Sequence, residues 1–477
     1  REAVGQLAEA LRRSPDNAFV LYRYAELKTK MAVSAATPQE RDALLREAEG
    51  HIAEALRRSP DEASVLCCYA DIKAKMAEHA ATPQERDALL REAEGWLAEA
   101  VRRSPDDAIV LYRCAKLEAK MVDHAATPQE RGALLREAEG HITEAVRRSP
   151  NTSLFFLACI ELKEKKAEYA ATPQERDALL RDAEGLLDEA VRRSPDNVGV
   201  LFGGIGLKTR LADLATTPQE RDILLREAEG QLAEAARRSP DDAGVLIGGA
   251  TLKVNMAEYA ATPQKRLALL REAEDLLAEA ARRFPDDVDV LSVGALIKTK
   301  LAEYAATPQE RDGLLREAEG HLAAAVRSTP TNVDVLIDRA IFRAVKVQYA
   351  ATPQERDALL REAKELLKKI PLRNPRMLLK VARLEVELAK YAVPQERKTL
   401  LGNAEMHIKQ SGQENFPQLY YVKSCIAALR GQQERALELL EGCRKAGTLP
   451  PREHLEKDKG MDSLRDLDAF REFLKRS

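Results

Sequence analysis

Aromatic residues are scarce in this chain. Phe, Tyr and Trp make up 4% of it, with a single Trp. So little ring area argues against one bulky central core and against the stacking platforms that single-stranded nucleic acid requires. Net charge is nearly absent as well, at −3 over 477 residues, so no global field draws the chain to nucleic acid or to an anionic membrane surface. No apolar run approaches the roughly 18 residues of a membrane-spanning helix, and no membrane insertion is expected. The six cysteines (Cys67, Cys68, Cys114, Cys159, Cys425 and Cys443) show neither metal-ligand spacing nor a disulfide framework. They read as buried thiols in a reducing compartment, which places the chain inside the cell, in the cytoplasm. The histidines do not cluster in sequence. His51, His141 and His321 share one position with Trp96, Leu186, Gln231 and Leu276, and a site that permissive is not catalytic. There is no Gly-rich phosphate loop, no His-Glu-x-x-His pair and no nucleophile beside a base. The expectation is no enzyme, no cofactor and no metal. An initiating Met is also missing, and Arg1 to Ala10 align with Arg46 to Ala55. The chain is therefore expected to begin inside a repeat helix, as a fragment or processed form.

What the chain has in abundance is itself. Thr37, Thr82, Thr127, Thr172, Thr217, Thr262, Thr307 and Thr352 each open a Thr-Pro-Gln-Glu/Lys-Arg block, 45 residues apart, and a degenerate copy begins at Pro394. A fixed period of this size marks a solenoid, whose units pack only on their neighbours. Within the unit Asp61 to Pro105, Asp61 or Glu62 caps a helix running through Val65, Leu66, Tyr69, Ala70, Ile72 and Met76. The three- and four-residue spacing puts these on one face. The end of that helix is predicted near His79 or Ala80. Thr82 is then an N-cap, Pro83 the first helical residue and Glu85 the partner of a capping box. The second helix carries Leu89, Leu90, Ala93, Leu97, Ala100 and Val101 on one stripe and ends at Ser104-Pro105. Asp87 with Arg91, and Glu99 with Arg103, are expected as i,i+4 pairs. Gly50, Gly95, Gly140, Gly185, Gly230 and Gly320 recur mid-helix, but Asp275 and Glu365 fill the same position. That position is predicted to face solvent.

The succession Ala93, Leu97, Ala100 and Pro105, then Leu111 and Ala115, resembles a tetratricopeptide repeat over nearly the whole chain, with the first helix and inter-helix turn lengthened. The resemblance implies an all-α fold: a right-handed superhelical solenoid of antiparallel helix pairs whose first helices line a concave surface. It implies residues 1–395 as an array of extended hairpins, 396–448 as final shorter units and 449–477 as a capping helical region. It also implies a non-enzymatic scaffold that holds a peptide, a helix or another subunit on the concave face.

Comparison of the copies locates the candidate surface. Second helices are nearly invariant and first helices vary. Phe19, Tyr22, Arg23 and Glu26, with Ile109, Tyr112, Arg113 and Lys116, combine aromatic, apolar and charged groups as binding hot spots do, although the tyrosines equally suit filling space between helices. Gly199, Gly203, Gly204 and Gly206, with Gly244, Gly248 and Gly249, point to close packing of neighbouring first helices or to close approach of a partner. Asp289, Asp334 and Asp338 share a face and suit either a basic segment or water. No carboxylate clamp is expected, because Cys67, Cys68, Gly203 and Gly248 stand where its polar groups belong. The expected partner is a protein or peptide, with no nucleic acid, and membership of a multi-subunit assembly is consistent with the pattern. The competing reading is a structural subunit of a large assembly or fibre built from stacked repeats.

Overall fold

The computed structural model describes residues 2–476 apart from 34, 36, 81, 126, 196, 216, 241, 261, 330, 331 and 373. All regular structure among the described residues is helical. The lead helix is α1 (Glu2–Arg13). First and second helices then alternate: α2 (Ala18–Val33), α3 (Pro38–Arg58), α4 (Ala63–Glu78), α5 (Pro83–Arg103), α6 (Ala108–Met121) and α7 (Pro128–Arg148). They continue as α8 (Ser153–Glu168), α9 (Pro173–Arg193), α10 (Val198–Leu214), α11 (Pro218–Arg238), α12 (Ala243–Tyr259) and α13 (Pro263–Arg283). The last long ones are α14 (Val288–Ala302), α15 (Pro308–Ser328), α16 (Val333–Val347), α17 (Pro353–Lys369), α18 (Pro375–Ala389) and α19 (Pro394–Gln410). Helices α20 (Tyr420–Leu429), α21 (Gln433–Lys445), α22 (Arg452–Lys457) and α23 (Asp468–Lys475) finish the chain. First helices α2, α4, α6, α10, α12, α16 and α18 pair with the second helices that follow them, α3, α5, α7, α11, α13, α17 and α19. The fold is all-α and tetratricopeptide-like. It divides into two compact units: Arg1–Lys165 with Leu186–Pro195 and Arg327–Pro330, and Lys166–Gly185 with Asp196–Val326 and Thr331–Ser477.

Local chemistry sets the helix ends. Thr82 Oγ1 accepts a hydrogen bond from the Glu85 amide at 3.1 Å, and Thr37, Thr127, Thr217 and Thr352 do the same for their helices. The reciprocal half of the box differs from expectation. Glu175, Glu310 and Glu355 accept from Ala171, Ala306 and Ala351 at 3.0, 2.8 and 2.9 Å, one residue ahead of the Thr. First helices are capped by Asp107, Asn197, Asp242, Asp287 and Asn332. Glu62 makes no such bond and accepts from Ser64 Oγ at 2.9 Å instead, because its longer stem carries the carboxylate past the helix amides.

On α5, Leu90, Ala93, Leu97 and Ala100 are buried, while Leu89 and Val101 are half-buried. Arg103 pairs with Glu99 at 2.6 Å as expected. Arg91 does not pair with the Asp87 carboxylate. It donates to the Asp87 carbonyl at 3.1 Å, and the carboxylate pairs with Arg86. A Cβ at Gly50, Gly95, Gly140, Gly185, Gly230 or Gly320 would meet nothing within 4 Å, so these positions do face solvent. In the second unit, Gly244 and Gly248 lie against the Phe202 ring, and Gly249 lies between Leu232 and Leu276. Their small size serves packing between neighbouring helices.

Candidate partner-binding face and the ion-pair ladders

Two ladders of ion pairs tie successive hairpins together, and both bear on which charges are open to a partner. The first joins second helices through a cation on the first helix between them. Lys73, only 8% exposed, contacts Glu49 and Glu92, each at 2.6 Å. Lys208 bridges Glu184 and Glu227, Lys253 bridges Glu229 and Glu272, Lys298 bridges Glu274 and Glu317, and Arg343 bridges Glu319 and Glu362, all within 2.5–3.0 Å. Burial works against each lysine's charge, but its paired carboxylates outweigh it and raise the ammonium above its ordinary range. The second ladder runs between first helices. Lys120 reaches Glu78 at 3.2 Å and Lys165 reaches Asp123 at 2.6 Å in the first unit, and Lys300 reaches Glu258 at 3.1 Å in the second.

The predicted site residues of the first unit sit on this laddered face. Arg23 is held by Glu26 on the same helix at 2.6 Å, Arg113 by Asp71 at 2.6 Å, and Lys116 by Glu161 at 2.6 Å. Tyr22 is half-buried against Phe19, with ring centroids 6.2 Å apart, and Tyr112 packs on Phe155 at 5.6 Å. Burial raises both phenols. Phe19 is 68% exposed and Ile109 47%, and Leu154, at the same repeat position as both, is 44% exposed.

A cavity of about 220 Å³ opens between α6 and α8. Its walls include Ala115, Ala119, Ala158 and Leu162, and Lys116, Lys120, Asp123, Glu161 and Lys165 also line it. Of these only Lys116 was named from sequence as a site residue, and Ala115 as a repeat position. Lys120, Lys165 and Asp123 carried a signal at the 45-residue offset: Lys75, Lys120 and Lys165 align, as do Glu78, Asp123 and Glu168.

In the second unit Asp289, Asp334 and Asp338 come together. Asp289 and Asp334 are exposed, and Lys380 approaches Asp334 at 3.9 Å. Burial, reinforced by Asp334 and Asp289, pushes the Asp338 carboxyl up to about 6, against the opposing pull of a bond from Ser292. Of the cysteines, Cys67, Cys68, Cys114, Cys425 and Cys443 are buried and Cys159 half-buried. Burial raises Cys67 and Cys68 to about 12, so neither thiol is activated.

No family model matches the chain, and no curated protein matches it. Solved structures do match. One is TTC0263, a thermophilic TPR protein of Thermus thermophilus, at 17% identity over 46% of this chain and 94% of that one, with a TM-score of 0.33. Another is the human IFIT1 dimer with PPP-AAAA, at 14% identity over 90% and 97%, with a TM-score of 0.41. Yeast Tom70 matches at 14% over 87% and 86%, with a TM-score of 0.39. The likeness is to the helical-repeat fold.

One expectation falls here. Nucleic acid was excluded on charge balance, yet IFIT1 structures that match this chain hold PPP-AAAA and m7Gppp-AAAA. The exclusion fails because net charge is an average over the molecule, whereas a bound phosphate responds to the charges lining one cavity. Among the described residues, no helix is long and apolar enough to cross a membrane.

Proposed function

We propose that this chain is a binding scaffold whose first unit holds a peptide segment along α6 and α8. The observation that carries the reading is the small-residue cavity over Ala115, Ala119 and Ala158, with the exposed Ile109 and Leu154 at the starts of the same two helices. Small floor residues leave room for an incoming apolar side chain, and burying one of Leu or Phe size contributes about 1.5–3 kcal/mol. The lysines and carboxylates around the cavity are already paired with one another. They favour a partner segment carrying both signs of charge, which exchanges pairs with the rim rather than neutralising it. On this reading Phe19, Tyr22, Arg23, Glu26, Ile109, Tyr112, Arg113 and Lys116 form the partner face. Asp289, Asp334 and Asp338 form a further acidic contact, residues 1–395 are the extended array, 396–448 the shorter final units and 449–477 the cap.

The test is selection from a displayed random-peptide library against the intact chain, followed by titration of the selected peptides against Ala119→Glu. Peptides with a central apolar residue flanked by mixed charge, bound at least ten-fold more weakly by the variant, support the reading. Equal binding by the variant contradicts it. So does tight binding of a 5′-triphosphorylated tetra-adenylate by a chain that selects no peptide.

A further inference from the structure

A second cavity, of about 500 Å³, lies in the second unit among α17, α18 and α19. Its size falls within the usual range of small-ligand sites. It forms where the repeat changes. Helix α17 has 17 residues, against 21 for α5, and Leu372 beyond it is 40% exposed and lines the cavity. The walls also include Leu367, Ile370, Val381 and Leu400.

This cavity sits on a rung of the first ladder whose charges have been exchanged. Asn332 and Asn374 both cap first helices and set the register. Arg343 lies 11 residues after the former (343 − 332) and Glu385 lies 11 after the latter (385 − 374). A carboxyl therefore stands where Lys73, Lys208, Lys253, Lys298 and Arg343 place a cation. The facing positions have changed too. Lys364 stands 45 residues after Glu319, and Asn403 lies 9 after Pro394 as Glu362 lies 9 after Pro353. Lys364 and Lys368 also line the cavity, but each is already paired, Lys364 with Glu396 at 2.7 Å and Lys368 with Glu365 at 2.6 Å.

Glu385 is 4% exposed, and its partners are His407 Nδ1 at 2.9 Å and the side chain of Asn403. Burial lifts the Glu385 carboxyl to about 8 and depresses the His407 imidazole, so the pair carries one proton and no net charge at neutral pH. A comparison inside the chain sharpens the point. Glu118 also replaces a ladder lysine and meets His141 Nδ1 at 2.9 Å, but there the bond to Glu118 raises the half-exposed imidazole. The bond favours the charged form of His141 at its rung, whereas burial works against the charged form of His407.

We propose that this cavity binds an organic cation, an ammonium or guanidinium group on an apolar body, with Glu385 as its counter-charge. The head group supplies, beside Glu385, the cation that the chain's own lysine or arginine supplies in other rungs, and the body lies on Leu367, Ile370, Val381 and Leu400. The same chemistry is offered by a free alkylamine or guanidine and by the Lys or Arg side chain of a partner. Pairing requires Glu385 to give up its proton, so binding releases a proton below about pH 8 and tightens as pH rises toward that value.

The experiment is calorimetric titration of the full chain with n-butylguanidinium, with 1-hexanol as the uncharged control and a capped Leu-Arg-Leu peptide as the second arm. The expected result is one site for n-butylguanidinium, affinity rising close to ten-fold per pH unit between pH 6.5 and 8, and no binding of hexanol. Glu385→Gln keeps the hydrogen bonds to His407 and Asn403 and is expected to lose at least ten-fold in affinity with its melting temperature preserved. Binding of the free guanidinium with exclusion of the peptide assigns a small-molecule ligand, and tighter binding of the peptide assigns a partner side chain. Absence of binding in both arms, or equal affinity in Glu385→Gln, overturns the proposal. This site shares no residue with the α6–α8 face, so either reading can fail alone.

Discussion

Asp458 shows how much a single side chain can hold. Its carboxylate, 2% exposed, accepts from Lys390 at 2.9 Å, from the Tyr421 hydroxyl at 2.5 Å and from the Gly460 amide at 2.7 Å. Burial opposes its charge, but His454, Lys390 and Tyr421 outweigh that and hold the carboxyl far below its usual range. Asp458→Ala leaves Lys390 paired with Glu387 alone at 2.7 Å and removes the acceptor of the Tyr421 hydroxyl and the Gly460 amide, and it is expected to cost roughly 1–3 kcal/mol in chemical denaturation of the second unit; a loss well below about 1 kcal/mol would show that water takes over the bonds. Glu385 makes a pH prediction. Unfolded, Glu titrates near 4.3 and His near 6.5. Folded, the Glu385 carboxyl sits at about 8 and the imidazole below its ordinary value. Just below about pH 6.5 the unfolded pair carries its proton on His and the folded pair keeps one on Glu385. From about 6.5 to 8 only the folded state keeps it, so stability falls with rising pH by up to about 1.4 kcal/mol per unit. Denaturation of Glu385→Gln across that window should lack this slope, and an unchanged slope would contradict the assignment.

The helices were largely legible in the sequence because their boundaries are set by nearest-neighbour chemistry. Threonine before proline starts the second helices from α3 to α17, and Ser104-Pro105 stops one, with no help from distant residues. The capping glutamate was misplaced by one residue because its reach depends on the turn ahead of the Thr, whose geometry no residue type announces. Glycines divide by environment. Gly95→Ala, with open space around it, is expected to stabilise its helix by about 0.5–1 kcal/mol. Gly248→Ala meets the Phe202 ring at 3.1 Å and is expected to gain nothing. Thermal melts of the two variants check the contrast, and equal gains would mean that the ring moves aside freely. The site residues were only half legible. Variation among first helices picked out Arg23, Arg113 and Lys116, but not that they are paired with Glu26, Asp71 and Glu161. Two of those three partners lie on neighbouring helices, and reading them required aligning positions across the repeat rather than within it.

Across the molecule, what propagates is a charge rule as much as an apolar one. Each regular rung places one cation between two carboxylates, so the array stays near neutral while its surface is dense in charge. The rule is broken at Glu118, where Glu94 and Glu137 face a third carboxyl and His141 offers relief. Burial, then Glu137 and Glu118, raise the Glu94 carboxyl. Glu118→Lys restores the rung and is expected to stabilise the first unit by about 1 kcal/mol at neutral pH, read from its denaturation midpoint; destabilisation would show that the His141 bond outweighs the repulsion. The cavity between α6 and α8 shares α6 with that break and is the centre of the functional account. Its most direct test is the hydrogen-exchange footprint of a selected peptide on the intact chain. The account predicts slowed exchange over Ala108–Met121 and Ser153–Glu168 with the second helices unchanged. Slowing confined to the second helices, or none at saturating peptide, would contradict it.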